Sequence, residues 1–288
     1  MTTVGLDPGA ELPLTCTRLG TCCHGKVVWV NPYELATLAR ARGMDARAFR
    51  ASAMRAGGAR LRFDGPVGWR GLGACSQYDP ASGCRAHAGR PLACRLYPLG
   101  RERRGDTVRY VHDGPDFPCL AGCPGVVDLP RLRVADYLVE QDVAALEAVN
   151  DAYLDVVQDL AEGAFVLWFD SGLAATAERA TLPRWRGLVA MDADARASAI
   201  DAAWLELLMT PPIDGLDDDG AAFVRAHAAL LQERAQAAFA ALRDAAALRD
   251  ASCLMLALAL QLAQSLGAEV GVLGERWLAT AIAQGGRD

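Results

Sequence analysis

The sequence predicts a mostly α-helical protein. Its N-terminal part should be irregular and cysteine-rich, with short strands and helices, and its C-terminal half should be all-helical. Eight of the nine cysteines lie within the first 123 residues, where Pro and Gly interrupt any periodic pattern. After residue 130, apolar residues recur at the three- and four-residue intervals of amphipathic helices. We therefore expect two domains, residues 1–130 and 131–288.

The N-terminal part should contain only short elements. An apolar run at 27–30 indicates a short strand. Asn31, Pro32 and Glu34 then match the N-cap, the first helical position and the capping box of a helix that ends near Gly43. Further along, the pattern predicts a helix at 45–54, a strand around 61–63, a turn at 79–83, and a loose hairpin with arms at 96–99 and 108–111.

The C-terminal half has the pattern of successive helices. The apolar spacing predicts helices over 134–162, 193–209, 220–247, 248–266 and 275–283, with a short apolar segment at 165–169. One histidine and one cysteine of this half are interpreted as structural residues rather than as metal ligands. We expect His227 to be structural or exposed, and Cys253 to be a small buried side chain.

Charge is divided unevenly along the chain. The formal net charge is −6, yet residues 1–135 contain 19 Lys and Arg against 11 Asp and Glu, and the remainder contains 10 against 24. Arginine supplies every long cation except Lys26, and alanine is equally over-used, which indicates a biased composition rather than a phosphate-binding surface. A globally acidic chain of this kind is not expected to bind nucleic acid.

The N-terminus lacks the basic and apolar segments of a signal peptide. The longest apolar run, 253–266, falls short of the about 20 residues that cross a bilayer. We therefore expect a cytoplasmic protein without a membrane partner. In a reducing compartment, clustered cysteines favour metal or redox roles over structural disulfides. The sequence does not indicate an oligomeric state.

The cysteine cluster is the strongest chemical signal in the sequence. Thiolates are soft ligands that select zinc, copper(I) or iron–sulfur centres. Arginines adjoin the cysteines repeatedly, and positive charge both lowers a thiol pKa and offsets the negative charge of a four-thiolate site. Disulfide and free-thiol roles remain alternatives. The predicted metal ligands are Cys16, Cys22, Cys23, Cys75, Cys84, Cys94, Cys119 and Cys123.

Zinc and an iron–sulfur cluster are difficult to separate by spacing. Only Cys119 and Cys123 have the short interval of a zinc knuckle. The other six cysteines are dispersed, which favours an iron–sulfur cluster, most simply [4Fe–4S], or a composite site assembled from several loops. The closely spaced cysteine run of bacterial ferredoxins is absent. His24 and His87 could also serve as ligands, although each fits an outer or surface position better.

Three blocks follow one another along the chain: Cys16, Gly20, Cys22 and Cys23; Cys75, Cys84, Arg90, Pro91, Cys94, Arg95, Tyr97 and Pro98; and Cys123, Pro124 and Gly125. Together they resemble the YkgJ-type cysteine-cluster proteins, which are described as zinc- or iron-chelating domains. The resemblance covers about residues 14–127, and the C-terminal half shows no such similarity. One position departs from the family pattern, because Leu19 stands where the family has its second cysteine. Cys119 could replace that thiol, or the metal could keep an open position.

Three functional hypotheses follow. The first is a metal-binding protein with a cysteine-ligated iron–sulfur cluster or zinc, in which Arg90 and Arg95 hold and tune the site and the helical half binds a protein or peptide. The second comes from the resemblance to flagellin lysine N-methylases, which implies a cluster- and S-adenosylmethionine-dependent enzyme, although G-x-G-x-x-G and C-x₃-C-x₂-C motifs are absent. The third is a metal chaperone or sensor.

Overall fold

A computed structural model describes residues 4–114, 118–120, 122–176, 179–215 and 219–287. Helices dominate these residues and the strands are short and confined to the first 112 residues, so the predicted mostly-α fold class is confirmed. The α-helices, in chain order, are α1 Pro32–Ala41, α2 Ala46–Ala53, α3 Leu92–Leu96, α4 Val134–Glu140, α5 Ala144–Phe165, α6 Thr181–Ala190, α7 Ala193–Ala199, α8 Ala202–Met209, α9 Gly220–Phe239, α10 Ala245–Ser265 and α11 Val270–Ala283. The strands are β1 Val4–Leu6, β2 Met54–Arg55, β3 Arg60–Leu61, β4 Tyr78–Asp79, β5 Gly83–Cys84, β6 Gly100–Arg104 and β7 Thr107–His112.

The chain folds into two compact units. The cysteine unit comprises Met1–Val28, Thr37–Met44 and Leu61–Glu147, and the helical unit comprises Trp29–Ala36, Asp45–Arg60 and Ala148–Asp288. Each unit therefore takes its residues from separate stretches of sequence. The expected division into domains at residue 130 stays a prediction, because a domain is defined by independent folding.

The cysteine unit contains a small antiparallel sheet in the order β1-β7-β6. Its strands pair in register Val4↔His112 and Gly100↔Val111, so the predicted hairpin is present. Its first arm lies at β6 rather than at 96–99, because α3 occupies the residues up to Leu96. Beside the sheet, Leu12, Leu99, Val134 and Tyr137 form a compact apolar core.

In the helical unit, α10 is the most buried helix. Leu256, Leu258 and Leu260 are fully inaccessible, and α6 and α11 pack against the helix. By length and hydropathy α10 could also cross a membrane, but 67% of its most apolar window is buried within the protein, as in the core helix of a soluble protein. The apolar side chains of α10 already pack within the protein, so α10 is a core helix of the helical unit.

Helix boundaries were the weakest sequence-based prediction. The expected helix 134–162 is two helices, α4 and α5, separated at Asp142, whose φ of 50° is left-handed. The segment 165–169, expected as a separate apolar piece, continues α5 as a turn of π-helix over Val166–Asp170. The expected helix 193–209 is divided into α7 and α8, and the helix expected over 220–247 ends with α9 at Phe239. The expected strand at 27–30 is reduced to an isolated bridge between Trp29 and Arg60.

The start of α1 agrees with the predicted capping box. The Glu34 amide donates to Oδ1 of Asn31 over 2.9 Å, and the Asn31 amide donates to Oε2 of Glu34 over 3.0 Å. Two amides at the helix start therefore have partners inside the protein, which a buried helix end requires.

Candidate metal centre

All eight cysteines predicted as ligands line a single cavity of about 640 Å³ inside the cysteine unit. No disulfide joins them, and every cysteine is a free thiol. Among the described lining residues there is no Asp or Glu, while Arg18, Lys26, His87 and Arg90 supply basic groups. The cavity is thus rich in sulfur, basic, and without carboxylates in its described lining.

A left-handed turn brings the first cysteine block into the cavity. Gly20 has a φ of 76° and lies against Tyr78 so closely that a Cβ would stand 2.7 Å from the ring. Glycine alone tolerates both the conformation and the contact. The residues that follow, Thr21–Cys23, form one turn of 3₁₀-helix, which places Cys22 and Cys23 side by side on the cavity wall.

The first and last cysteine blocks are joined by backbone hydrogen bonds. Cys16 forms an isolated antiparallel bridge with Val126, and the Thr17 amide donates to the Gly125 carbonyl over 2.7 Å. The Cys123-Pro124-Gly125 block therefore lies beside the N-terminal block, although more than 100 residues separate them in sequence.

Cys75 and Cys84 enter from a neighbouring hairpin. The Cys75 amide donates to the Cys23 carbonyl over 2.7 Å, and strands β4 and β5 pair Tyr78 with Cys84. The Gln77 amide also approaches Sγ of Cys75 at 3.5 Å. This hairpin is the predicted turn at 79–83, and the Cys75 amide joins the segment that leads into it to the Cys22–Cys23 turn.

Cys94 lies on the short helix α3, which Arg95 fixes to its surroundings. The Arg95 guanidinium donates to the carbonyls of Ala88, Arg90 and Gln141 over 3.2, 3.1 and 2.9 Å. Arg95 thus connects the turn before α3 with the junction of α4 and α5, and it is not among the cavity-lining residues described. Its predicted contact with a cofactor stays a prediction.

Arg90 does line the cavity and is poorly satisfied by the protein. Its Nη2 donates to Oε1 of Gln141 over a long 3.4 Å, and its Nε is buried without a hydrogen-bond partner among the described residues. Burial lowers the pKa of the Arg90 guanidinium, and the nearby charges of Arg95 and Arg18 act in the same direction. Arg90 therefore gains from a negative charge in the cavity, as its predicted role requires.

Two cysteine sulfurs contact hydroxyl groups. The Tyr97 hydroxyl lies 2.7 Å from Sγ of Cys119, and the Thr21 hydroxyl lies 2.8 Å from Sγ of Cys123. Lys26 in turn donates to the Tyr97 hydroxyl over 2.7 Å. The sequence interpretation assigned no role to Lys26 or Thr21, and the one available signal was that Lys26 is the only lysine in the chain.

The adjacent thiols Cys22 and Cys23 differ strongly in acidity. The hydrogen bond from Cys23, with smaller contributions from the charges of Lys26 and Arg90, lowers the pKa of Cys22 to about 7 although burial opposes it. The same hydrogen bond, together with burial and the charges of Cys75 and Cys94, raises the pKa of Cys23. Of this adjacent pair, Cys22 is thus the thiol more readily available as a thiolate near neutral pH.

The donor set suits a thiophilic metal, although the side chains do not yet converge on one point. In the described ranges, no three His, Cys, Asp or Glu side chains stand close enough together to hold a metal ion. Metal binding removes thiol protons, so the Cys22–Cys23 hydrogen bond must give way. The hydroxyl contacts of Cys119 and Cys123 can persist, since a bound thiolate keeps lone pairs that accept hydrogen bonds.

The two candidate histidine ligands lie in different surroundings. His87 lines the cavity, and burial lowers its pKa, with the charge of Arg90 adding to the effect. His24 is buried with its ring edge-on to Tyr78 at a centroid distance of 5.0 Å, and it is not among the lining residues described. Of the two, only His87 faces the cavity that the cysteines line.

Comparison with protein families supports a chelating role for this region. Residues 15–111 match the family CxxCxxCC, whose description is "Putative zinc- or iron-chelating domain". The predicted resemblance to a cysteine-cluster family is therefore confirmed over these residues, which include Cys16 through Cys94 but neither Cys119 nor Cys123. No curated protein and no solved structure matches the chain.

Proposed function

We propose that this chain is a metal-binding protein that holds a cysteine-ligated iron–sulfur cluster, with zinc as the alternative metal, inside the cysteine cavity. One observation carries the proposal: eight thiols line a single cavity whose described lining contains no carboxylate. Calcium, magnesium and manganese prefer oxygen ligands, whereas sulfur ligands select zinc, copper(I) and iron–sulfur centres. The match to a zinc- or iron-chelating family agrees with this choice.

The size and layout of the cavity favour a cluster over a single zinc ion. Structural zinc takes four ligands at about 2.3 Å from sulfur, usually from paired knuckles in a closely packed site. Here the thiols come from four separate segments around a cavity of about 640 Å³. That arrangement offers more space than one zinc ion requires, and a [4Fe–4S] cluster, which also takes four thiolates, is large enough to use it.

The basic residues of the cavity favour a negatively charged metal centre. A four-thiolate site carries net negative charge whether it holds zinc or a [4Fe–4S] cluster, and a buried negative charge is costly unless it is paired. Arg18, Lys26 and Arg90 line the same cavity. Their positive charges would stabilise the thiolates and the bound metal centre. A cluster held there would supply electron transfer, and zinc would supply Lewis acidity.

Purification without oxygen followed by metal analysis tests the proposal. We expect a brown protein with a visible absorption shoulder, and iron and acid-labile sulfide in stoichiometric amounts. A colourless protein that carries zinc would exclude the cluster and support the alternative metal. Protein that holds neither metal after reconstitution with iron and sulfide, or with zinc, would overturn the proposed function.

Single substitutions test the ligand assignment. Cys22→Ser, Cys23→Ser and Cys94→Ser should each lower the metal content, because serine is a poor ligand for a thiophilic metal. Cys253→Ala is the matched control, since Cys253 is buried in α10 within the helical unit and does not line the cavity. Metal content equal to that of the unaltered protein in all three serine variants would contradict the assignment.

An S-adenosylmethionine-dependent lysine methylase and a metal chaperone or sensor would use the same centre. Each remains a hypothesis with its own test. Methylation of a protein lysine that requires both the cofactor and the loaded centre would support the enzyme, and rapid loss of the metal to a mild chelator would support the chaperone or sensor.

A further inference from the structure

The position of Leu19 leaves a gap in the cysteine pattern of the N-terminal block. The pattern for which the matching family is named has cysteines at four positions, which correspond to residues 16, 19, 22 and 23 of this chain. Leu19 fills the second of them and is 57% exposed. Its side chain packs beside Gly125, where a Cβ would lie 3.5 Å from that of Leu19, so position 19 is close to the block that contains Cys123.

Cys119 is supported by a chain of two neighbouring polar side chains, Tyr97 and Lys26. The Lys26 ammonium can only donate hydrogen bonds, so the Tyr97 oxygen accepts from it over 2.7 Å. The Tyr97 hydroxyl is then oriented to donate to Sγ of Cys119, which lies 2.7 Å away. Lys26 also lies 4.0 Å from the centroid of the Tyr97 ring, so one cation holds the phenol through both its oxygen and its ring.

Cys119 shares one wall of the cavity with Cys22 and Cys123. The Cys123 amide donates to the Cys119 carbonyl over 3.2 Å, so the two residues lie next to each other. Thr21, which directly precedes Cys22, contacts Sγ of Cys123 at 2.8 Å. The electrostatic influence of Lys26 on Cys22 and Cys119 is consistent with this grouping.

We propose that Cys119 is the metal ligand that replaces the cysteine absent at Leu19, and that Lys26 and Tyr97 are positioning residues that hold its sulfur toward the centre. This inference rests on the proposed function. Cys119 lies beyond residues 15–111, so the family match does not assign it. Lys26 and Tyr97 act through the sulfur, as outer residues do when they orient a ligand and tune the metal.

Substitution of Lys26 or Tyr97 should change how firmly the metal is held. Substitution of outer residues that support a ligand lowers metal affinity by about 10- to 100-fold. Hydrogen bonds to cluster sulfurs also set the reduction potential, and their loss makes a cluster easier to oxidise. Tyr97→Phe and Lys26→Met should therefore leave the loaded metal stoichiometry unchanged but release metal to a chelator about 10- to 100-fold faster. Both variants should also lower the reduction potential if the centre is a cluster.

Tyr110→Phe is the matched control for these measurements. Tyr110 also belongs to the cysteine unit, but its hydroxyl donates to Oε1 of Glu147 over 2.8 Å, and it does not line the cavity. Loss of its hydroxyl should leave metal release and potential as in the unaltered protein. If Tyr97→Phe and Lys26→Met behave like this control, the positioning role is wrong.

A rescue experiment tests the replacement itself. Cys119→Ser should lower metal content, and adding Leu19→Cys to that variant should restore it, because a thiol at position 19 would supply the missing ligand. Full metal content in Cys119→Ser, or failure of Leu19→Cys to restore the lost metal, would overturn the replacement. Unaltered protein that cannot be loaded would overturn the proposed function and this inference with it, whereas loaded protein with unaffected variants would overturn this inference only.

Discussion

At the scale of single residues, burial decides what a side chain does more than its chemical type. His227 was expected to be structural or exposed, and it is fully buried. The Tyr153 hydroxyl and Nδ1 of His227 lie 3.0 Å apart, and Nε2 lies 3.0 Å from the Leu207 carbonyl. Because a carbonyl only accepts, Nε2 carries the proton and Nδ1 accepts from Tyr153, which is the arrangement of a neutral ring.

The neutral state of His227 predicts a loss of stability in acid. Burial lowers the pKa of His227 from 6.5 to about 4, so the unfolded chain binds a proton at a higher pH than the folded protein. The stability that the neutral ring contributes is complete above pH 6.5 and is lost as the pH falls toward 4. Between pH 7 and 4.5 we expect the free energy of unfolding to fall by about 2–3 kcal/mol from this residue.

Urea unfolding at several pH values measures this effect. At each pH, the free energy of unfolding of the His227→Gln variant is subtracted from that of the unaltered protein. The carboxylates titrate in both proteins, so the pH dependence of this difference reports the histidine alone. The variant should lose less stability on acidification. An equal loss in the two proteins would show that His227 does not control acid stability.

At the scale of secondary-structure elements, side-chain caps and close packing determine where helices end and meet. Asp201 accepts hydrogen bonds from two amides at the start of α8, and Asp244 accepts one from the Ala247 amide at the start of α10. These caps start new helices within stretches whose apolar spacing alone predicts longer ones. Gly274 in α11 faces Val189 of α6, where a Cβ would stand 2.5 Å from a methyl group. The close approach of α6 and α11 therefore requires glycine, which has no side chain, at position 274.

Two glycine substitutions should change stability in opposite directions. Gly274→Ala should lower the free energy of unfolding by about 1–3 kcal/mol, because the new methyl group overlaps Val189. Gly187→Ala in α6 should raise it by about 0.5–1 kcal/mol, because the site is exposed with no atom within 4 Å and alanine favours the helix. Thermal or urea unfolding measures both, and effects of the same sign would contradict the packing described.

At the scale of the whole molecule, the cysteine cavity is assembled from segments that are distant in sequence. Few regular elements support these segments: short 3₁₀ turns, two-residue strands and the five-residue helix α3. The metal should therefore contribute much of the local stability, as it does in small metal-binding domains. The predicted cytoplasmic location and the binding of a protein or peptide by the helical half stay predictions.

Removal of the metal should loosen the cysteine-bearing segments selectively. We expect the amides of residues 15–28 and 74–98 to exchange faster with deuterium after chelator treatment. These segments have little regular secondary structure, so the bound metal should be what restrains their opening. Mass spectrometry of loaded and chelator-treated protein measures this exchange. The amides of α10, protected by their own helical hydrogen bonds, are the internal reference. Equal exchange in both states would argue against a structural role for the metal.

The sequence alone determined the mostly helical class, the capping box of α1 and the concentration of cysteines in the first 123 residues. These features depend on residues a few positions apart, so periodicity and capping patterns report them directly. Resemblance to a cysteine-cluster family could also be recognised, because its blocks are short and ordered.

Only the tertiary structure decided how the eight cysteines come together and which residues support them. Segments 52 to 110 residues apart in sequence converge through backbone contacts such as Cys23 with Cys75 and Cys16 with Val126, and no local pattern encodes such pairs. The role of Lys26 likewise could not be predicted from the sequence. It stands out in the sequence as the single lysine, but its role depends on Tyr97 and Cys119, which reach it only through the folding of the chain.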